Sequence, residues 1–181
     1  MDFTLTTGLI GSLILVVGAA WPEKKKLRHP IYSVRNWLFT VGTVVMFAYA
    51  LLGYFQTGEI FFVLLEILML IASIMMMLNI RTKISIPIIL LCTLGFMFAV
   101  LFIFETNFRL LLFVVGLGIT GVGYIINQSD FWRNVILTFG STILGLFSYL
   151  DQNWVFLGLN LFFAAFSFYY VVKEARLRYC R

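Results

Sequence analysis

Charge, histidine and cysteine are all scarce in this sequence. Only 12% of its 181 residues are charged, where soluble domains carry about a quarter. A soluble fold of this size keeps much of its surface wet, and so few charges could not cover it. The single histidine, His29, lies in a basic loop. The two cysteines, Cys92 and Cys180, lie far apart, one in an apolar run and one in a basic tail. That spacing suits neither a metal site nor a disulfide framework. The chain also lacks paired mid-span carboxylates, a phosphate-binding glycine loop and any cluster of metal ligands. An enzyme is not expected, nor a cofactor or a metal. No lysine lies in the last apolar run, which excludes a retinal Schiff base. No cleavable leader is expected either: the first apolar run is too long, and a basic stretch follows it.

What fills the sequence instead is apolar side chain, 62% of the residues, with aromatics at 18%. A helix crosses the hydrocarbon core with about 20 residues, and runs of that kind recur throughout. They cover Phe3–Trp21, Trp37–Phe55, Ile60–Leu78, Ile84–Phe104, Arg109–Ile126, Val135–Leu150 and Val155–Val172. Short polar separators divide most of them, among them Gln56 to Glu59, Asn79 to Lys83 and Asp151 to Asn153. Lipid cannot satisfy backbone polar groups, so the runs are expected to be helices. The expectation is an all-α integral membrane protein of seven transmembrane helices.

Basic residues orient it. With the N-terminus outside, 12 of the 13 Lys and Arg residues fall on the cytoplasmic side, and only Arg109 falls outside. Cytoplasmic loops carry such an excess in membrane proteins. The net charge of +5 therefore reads as topology rather than nucleic-acid binding. Lys24, Lys25, Lys26 and Arg28 suit contact with anionic lipid headgroups. Trp21, Trp37, Trp132 and Trp154 fall near the expected interfaces and read as belt anchors.

An internal repeat crosses the fourth run. Arg35-Asn36-x-x-x-Thr40-x-Gly42 recurs as Arg133-Asn134-x-x-x-Thr138-x-Gly140, at an offset of 98. A glycine-rich run precedes each copy, marked by Gly8, Gly11 and Gly18 and by Gly116, Gly118, Gly121 and Gly123. Small residues let membrane helices approach closely. The run following each copy carries one carboxyl or amide side chain, Glu66 in the first and Asn160 in the second. Three helices are an odd number, so the fourth run restores the orientation of the second copy. The expected layout is two parallel units, residues 1–80 and 107–174, joined by a linker helix at 81–106 and ending in a basic tail at 175–181. Parallel repeats of this kind are one transporter design.

This layout resembles the PQ-loop superfamily, most closely the SWEET and SemiSWEET sugar transporters. Pro22-Glu23 and Asn127-Gln128 stand where that family has its Pro-Gln signature, each keeping one half of it. The stretch from Ser33 through Trp37 to Tyr49 is similar to a SemiSWEET second helix. The resemblance implies a substrate pocket between the two units near the membrane midplane, working by alternating access. Its lining would be one asparagine on the third helix of each unit with aromatics of the second helix. Asn160 matches one asparagine; Glu66 replaces the other. A carboxylate there suits an amine-bearing or cationic solute, or proton coupling, as well as a sugar.

Glu66 carries the most information, because an acidic residue within a span costs about 2.5–3.5 kcal/mol on insertion scales and usually faces a cavity or a partner. A structural carboxyl bonded to a neighbouring helix is the competing reading. Asn160 offers both donor and acceptor and equally suits interhelical bonding. Tyr49, Tyr54, Phe147 and Tyr149 could stack on a ring, although packing explains aromatics in so aromatic a chain. Arg35 and Arg133 read as headgroup contacts or as inner-gate residues meeting Glu23 or Asp130. The resulting expectation is a small-solute transporter, proton coupling through Glu66 included. The alternative is a sorting or assembly receptor of the same fold without solute flux. Seven helices make a complete two-unit transporter, so a monomer suffices, though a homo-oligomer stays open. Compact loops favour a prokaryotic plasma (inner) membrane.

Overall fold

The computed structural model describes residues 3–21, 30–103, 108–126 and 130–179. Among these residues there are seven α-helices and one 3-10 turn, and no β-strand. The helices are α1 (Phe3–Ala20), α2 (Val34–Thr57), α3 (Phe61–Met77), α4 (Thr82–Ile103), α5 (Phe108–Ile125), α6 (Asp130–Leu150) and α7 (Trp154–Tyr179); the turn is Pro30–Tyr32. Four helices are long and apolar enough to cross a membrane: α1, α2, α4 over Lys83–Val100 and α7 over Trp154–Arg176. Shorter apolar stretches lie in α3 and α5, Phe61–Met77 and Phe108–Gly123. This is the architecture of a helical integral membrane protein.

Local chemistry sets the ends. Ser33 caps α2 from an extended backbone, its hydroxyl accepting the Asn36 N–H at 3.2 Å, as an N-cap serine does. Gly58 closes α2 in the left-handed region, at φ 78°, and its N–H donates to the Tyr54 carbonyl. That conformation suits glycine because no Cβ meets the following carbonyl. Asn153 starts α7 by accepting the Phe156 N–H at 3.2 Å.

Helix and apolar run differ most at α6 and α7. α6 begins at Asp130 rather than Val135, because the Arg133-Asn134 pair is itself helical. α7 continues to Tyr179, through the basic tail, since charged residues propagate a helix well once it has started. Pro87 lies inside α4, where its missing N–H removes one backbone bond.

The chain divides into two compact units, Met1–Ser85 and Ile86–Arg181, so most of α4 belongs with the second. In the first unit α1 and α3 both pack on α2. Gln56 at the end of α2 donates to the Thr4 hydroxyl at 2.9 Å, tying it to the start of α1. In the second unit α5 and α7 both pack on α6, and α4 meets α5 where Thr93 stands against Gly118.

Contacts of α1 with α2 recur between α5 and α6 at fixed sequence offsets. A methyl group on Gly42 would stand 2.7 Å from the Leu15 side chain; on Gly140 it would stand 2.8 Å from the Thr120 backbone nitrogen. Gly11 lies against Met46, and Gly116 against Leu144. Gly18 lies against Leu38, and Gly123 against Leu137 and Ile136. Gly8 lies against the Tyr49 ring, and at the matching position Phe113 lies against Phe147 with ring centroids 5.2 Å apart. The α1 and α5 members of these pairs are 105 residues apart, and the α2 and α6 members 98. Without a hydrophobic force between helices in lipid, such close approach at small residues is what holds them.

Candidate functional site

Hydroxyl groups on these helices are mostly satisfied within their own helix. Thr43 donates to Phe39 O at 2.8 Å, Thr93 to Ile89 O at 2.8 Å and Ser148 to Leu144 O at 2.7 Å. The repeated motif uses the same bond twice. Thr40 donates to Asn36 O at 3.0 Å, and Thr138 to Asn134 O at 2.7 Å. Both asparagines are buried, and the Asn36 amide donates to the Pro30 carbonyl at 3.1 Å. The motif is therefore structural: it holds the first turns of α2 and α6.

Glu66 departs from this pattern. It is 3% exposed, and its Oε2 is buried with no hydrogen-bond partner among the described residues. It stands five residues into α3, about 7.5 Å from Phe61 along the axis and about 16 Å from Met77. That is a third of the way along the helix, nearer the α2–α3 turn than mid-span.

Asn160 occupies the matching depth, six residues into α7 or about 9 Å. It is 7% exposed. Its amide nitrogen donates to Phe156 O at 2.9 Å, and among the described residues its oxygen accepts no hydrogen bond. Its Cβ lies close to Gly145 on α6. An offset of 94 relates α3 to α7, pairing Phe62 with Phe156, Leu65 with Leu159, Glu66 with Asn160 and Ser73 with Ser167. All eight of these residues are buried.

The aromatic candidates separate. Tyr49 is half-buried against Gly8, and Phe147 is buried against Phe113, so each fills a helix contact within its own unit. Tyr149 is exposed, edge-on to Trp154 at 6.3 Å, and Tyr54 is exposed beside Phe55. The four tryptophans Trp21, Trp37, Trp132 and Trp154 are all exposed, as interface anchors would be. Arg35 and Arg133 are half-buried in the first turns of α2 and α6. Pro22, Glu23, Asn127 and Gln128 lie outside the described residues.

One buried polar group was not anticipated from sequence. Thr120 is 4% exposed, and its Oγ1 has no hydrogen-bond partner among the described residues. It stands at the α5–α6 crossing where Leu15 stands between α1 and α2. The offset of 105 would have singled it out, as the one hydroxyl replacing an apolar residue at a helix crossing.

Comparison with known protein families, with curated proteins and with solved structures finds no match to this chain.

Proposed function

We propose that this protein is a small-solute membrane transporter working by alternating access, with Glu66 and Asn160 as its solute-binding polar positions. In this reading all seven helices span the membrane, with the N-terminus outside and the C-terminal helix ending in the cytoplasm. The first and second units are parallel three-helix repeats of the PQ-loop type, and α4 is the linker helix.

The observation that carries the reading is the buried Glu66 oxygen, without a partner among the described residues, at the repeat position of Asn160. A polar group left unpaired in an apolar interior costs about 2–7 kcal/mol, and an ionisable residue within a membrane span points by default to a ligand, ion or partner. The recurring helix contacts support the repeat: the three helices of each unit align in sequence at offsets of 105, 98 and 94, and the contacts at the α1–α2 and α5–α6 crossings recur. Binding groups at equal depth in two such units are what an alternating transporter needs.

Flux in proteoliposomes tests this. Purified protein preloaded with unlabelled sugars, amino acids, nucleosides or carboxylates should accumulate the labelled counterpart of its substrate. Glu66→Gln should lower that accumulation at least about tenfold, the worth of one charge-assisted bond. Accumulation no greater than in protein-free liposomes for every solute would remove the transporter reading and leave the sorting-receptor one.

A further inference from the structure

The chemistry around Glu66 narrows the solute class. Its Oε2 accepts nothing among the described residues, and a carboxylate is an acceptor without donors. Among the described residues, no cation of its own unit can reach it. The described basic residues of the first unit are Arg35, Arg81 and Lys83. Arg81 and Lys83 follow Glu66 by 15 and 17 residues and lie past the far end of α3, whose last residue, Met77, is about 16 Å from Glu66 along the axis. Arg35 sits in the first turn of α2, whose last turn adjoins the start of α3. Antiparallel packing then separates it from Glu66 by about 25 Å along the axis.

The second unit shows the same polarity. The Asn160 amide spends an N–H on its own helix, at Phe156 O, and keeps its oxygen unused. Each unit thus offers acceptor oxygen at the matched depth. A ligand suited to such positions supplies N–H donors, and one suited to Glu66 supplies positive charge as well. A primary ammonium does both, with three donors on a compact cation. A neutral polyol supplies donors but leaves the carboxylate charge uncompensated in an apolar surround.

We infer that Glu66 receives the ammonium group of an amine-bearing solute. The inference rests on the transporter reading and specifies its substrate class.

Matched pairs of probes test it by thermal denaturation of the purified full chain near neutral pH. The pairs are glucosamine with glucose, putrescine with 1,4-butanediol, and ethanolamine with ethylene glycol. A ligand that binds only the native state raises the midpoint by mass action. At least one amine should raise it where its neutral partner does not. Glu66→Gln should weaken that amine at least about tenfold, the loss of one charge-assisted contact, while Glu66→Asp, which keeps the charge, should retain part of the binding. Stabilisation by a neutral partner as strongly as by its amine, unchanged in Glu66→Gln, would overturn the amine assignment. So would no shift with any amine. In either case flux of a neutral solute in the liposome assay would leave the transporter reading standing, and absence of all flux would remove both.

Discussion

Gly140→Ala and Gly158→Ala add the same methyl group to neighbouring helices of one unit, yet they should move stability in opposite directions. Each gains helix propensity, about 0.5–1 kcal/mol for glycine to alanine in a helix interior. Around Gly158 a methyl group meets nothing within 4 Å, so that gain is all it registers. At Gly140 the new carbon would stand 2.8 Å from Thr120 N and 3.0 Å from Thr120 Cα, with Thr120 Oγ1 closer still. Backbone cannot rotate away as a side chain can, so α5 and α6 must separate. Overpacking of this kind costs about 1–3 kcal/mol. Because the propensity gain is common to both variants, their difference isolates the overpacking cost. At about 2–4 °C per kcal/mol for a chain of this size, Gly140→Ala should melt about 2–12 °C below Gly158→Ala. Tryptophan fluorescence of the detergent-solubilised protein during heating reads this directly. Gly42→Ala should fall between them, since its close neighbours are mainly the Leu15 side chain, with Leu15 N at 3.1 Å. Equal midpoints for Gly140→Ala and Gly158→Ala would refute the helix crossing described.

Other perturbations bear on caps, orientation and the site. Ser33→Ala removes the hydroxyl that accepts the Asn36 N–H and should cost about 0.5–2 kcal/mol, measurable as a lower midpoint. Gly58→Ala places a Cβ at φ 78° and should cost about 1–2 kcal/mol, whereas Gly53→Ala, with open space around it, should not. For orientation, Thr57→Cys and Lys173→Cys can be compared in a chain whose Cys92 and Cys180 are replaced by alanine. An impermeant maleimide should label the first in intact cells and the second only after permeabilisation; the reverse pattern would invert the proposed topology. Asn160→Asp keeps the size of the side chain while making it an acceptor only, so it loses the bond to Phe156 O. Its melting midpoint without ligand should fall by the worth of one hydrogen bond, about 0.5–1.5 kcal/mol, and an unchanged midpoint would count against that bond.

Sequence periodicity located the helices to within a few residues because apolar length is what a membrane selects. It missed where polar residues could continue a helix already begun, at Asp130 and beyond Val172. The α2/α6 relation was legible because Asn36 and Asn134, and Thr40 and Thr138, do the same local job and so keep their identities. The α1/α5 relation was harder to see because only the glycine pairs Gly11/Gly116 and Gly18/Gly123 keep their identity at its crossings, while Leu15 is matched by Thr120 and Gly8 by Phe113. In that last pair the ring has changed sides only in part, since Tyr49 is matched by Phe147. Of the site, Glu66 stood out by charge alone, but its depth and its unpartnered oxygen could not be read without knowing where α3 begins.

The offsets of 105, 98 and 94 differ by seven and by four residues, and where those differences fall matters. The seven accumulate between Gly18 and Arg35, in the first α1–α2 connection, which holds Lys24 to Arg28. The four fall where α2 runs one further helical turn before Gly58 than α6 does before Asp151. Both lie outside the crossings, so neither changes which residues meet. Instructions for insertion and instructions for packing are then written in different stretches of chain. A basic connection that can gain or lose residues and charges while its helices keep their register leaves the charge bias that orients a membrane protein free to change without disturbing the helix crossings.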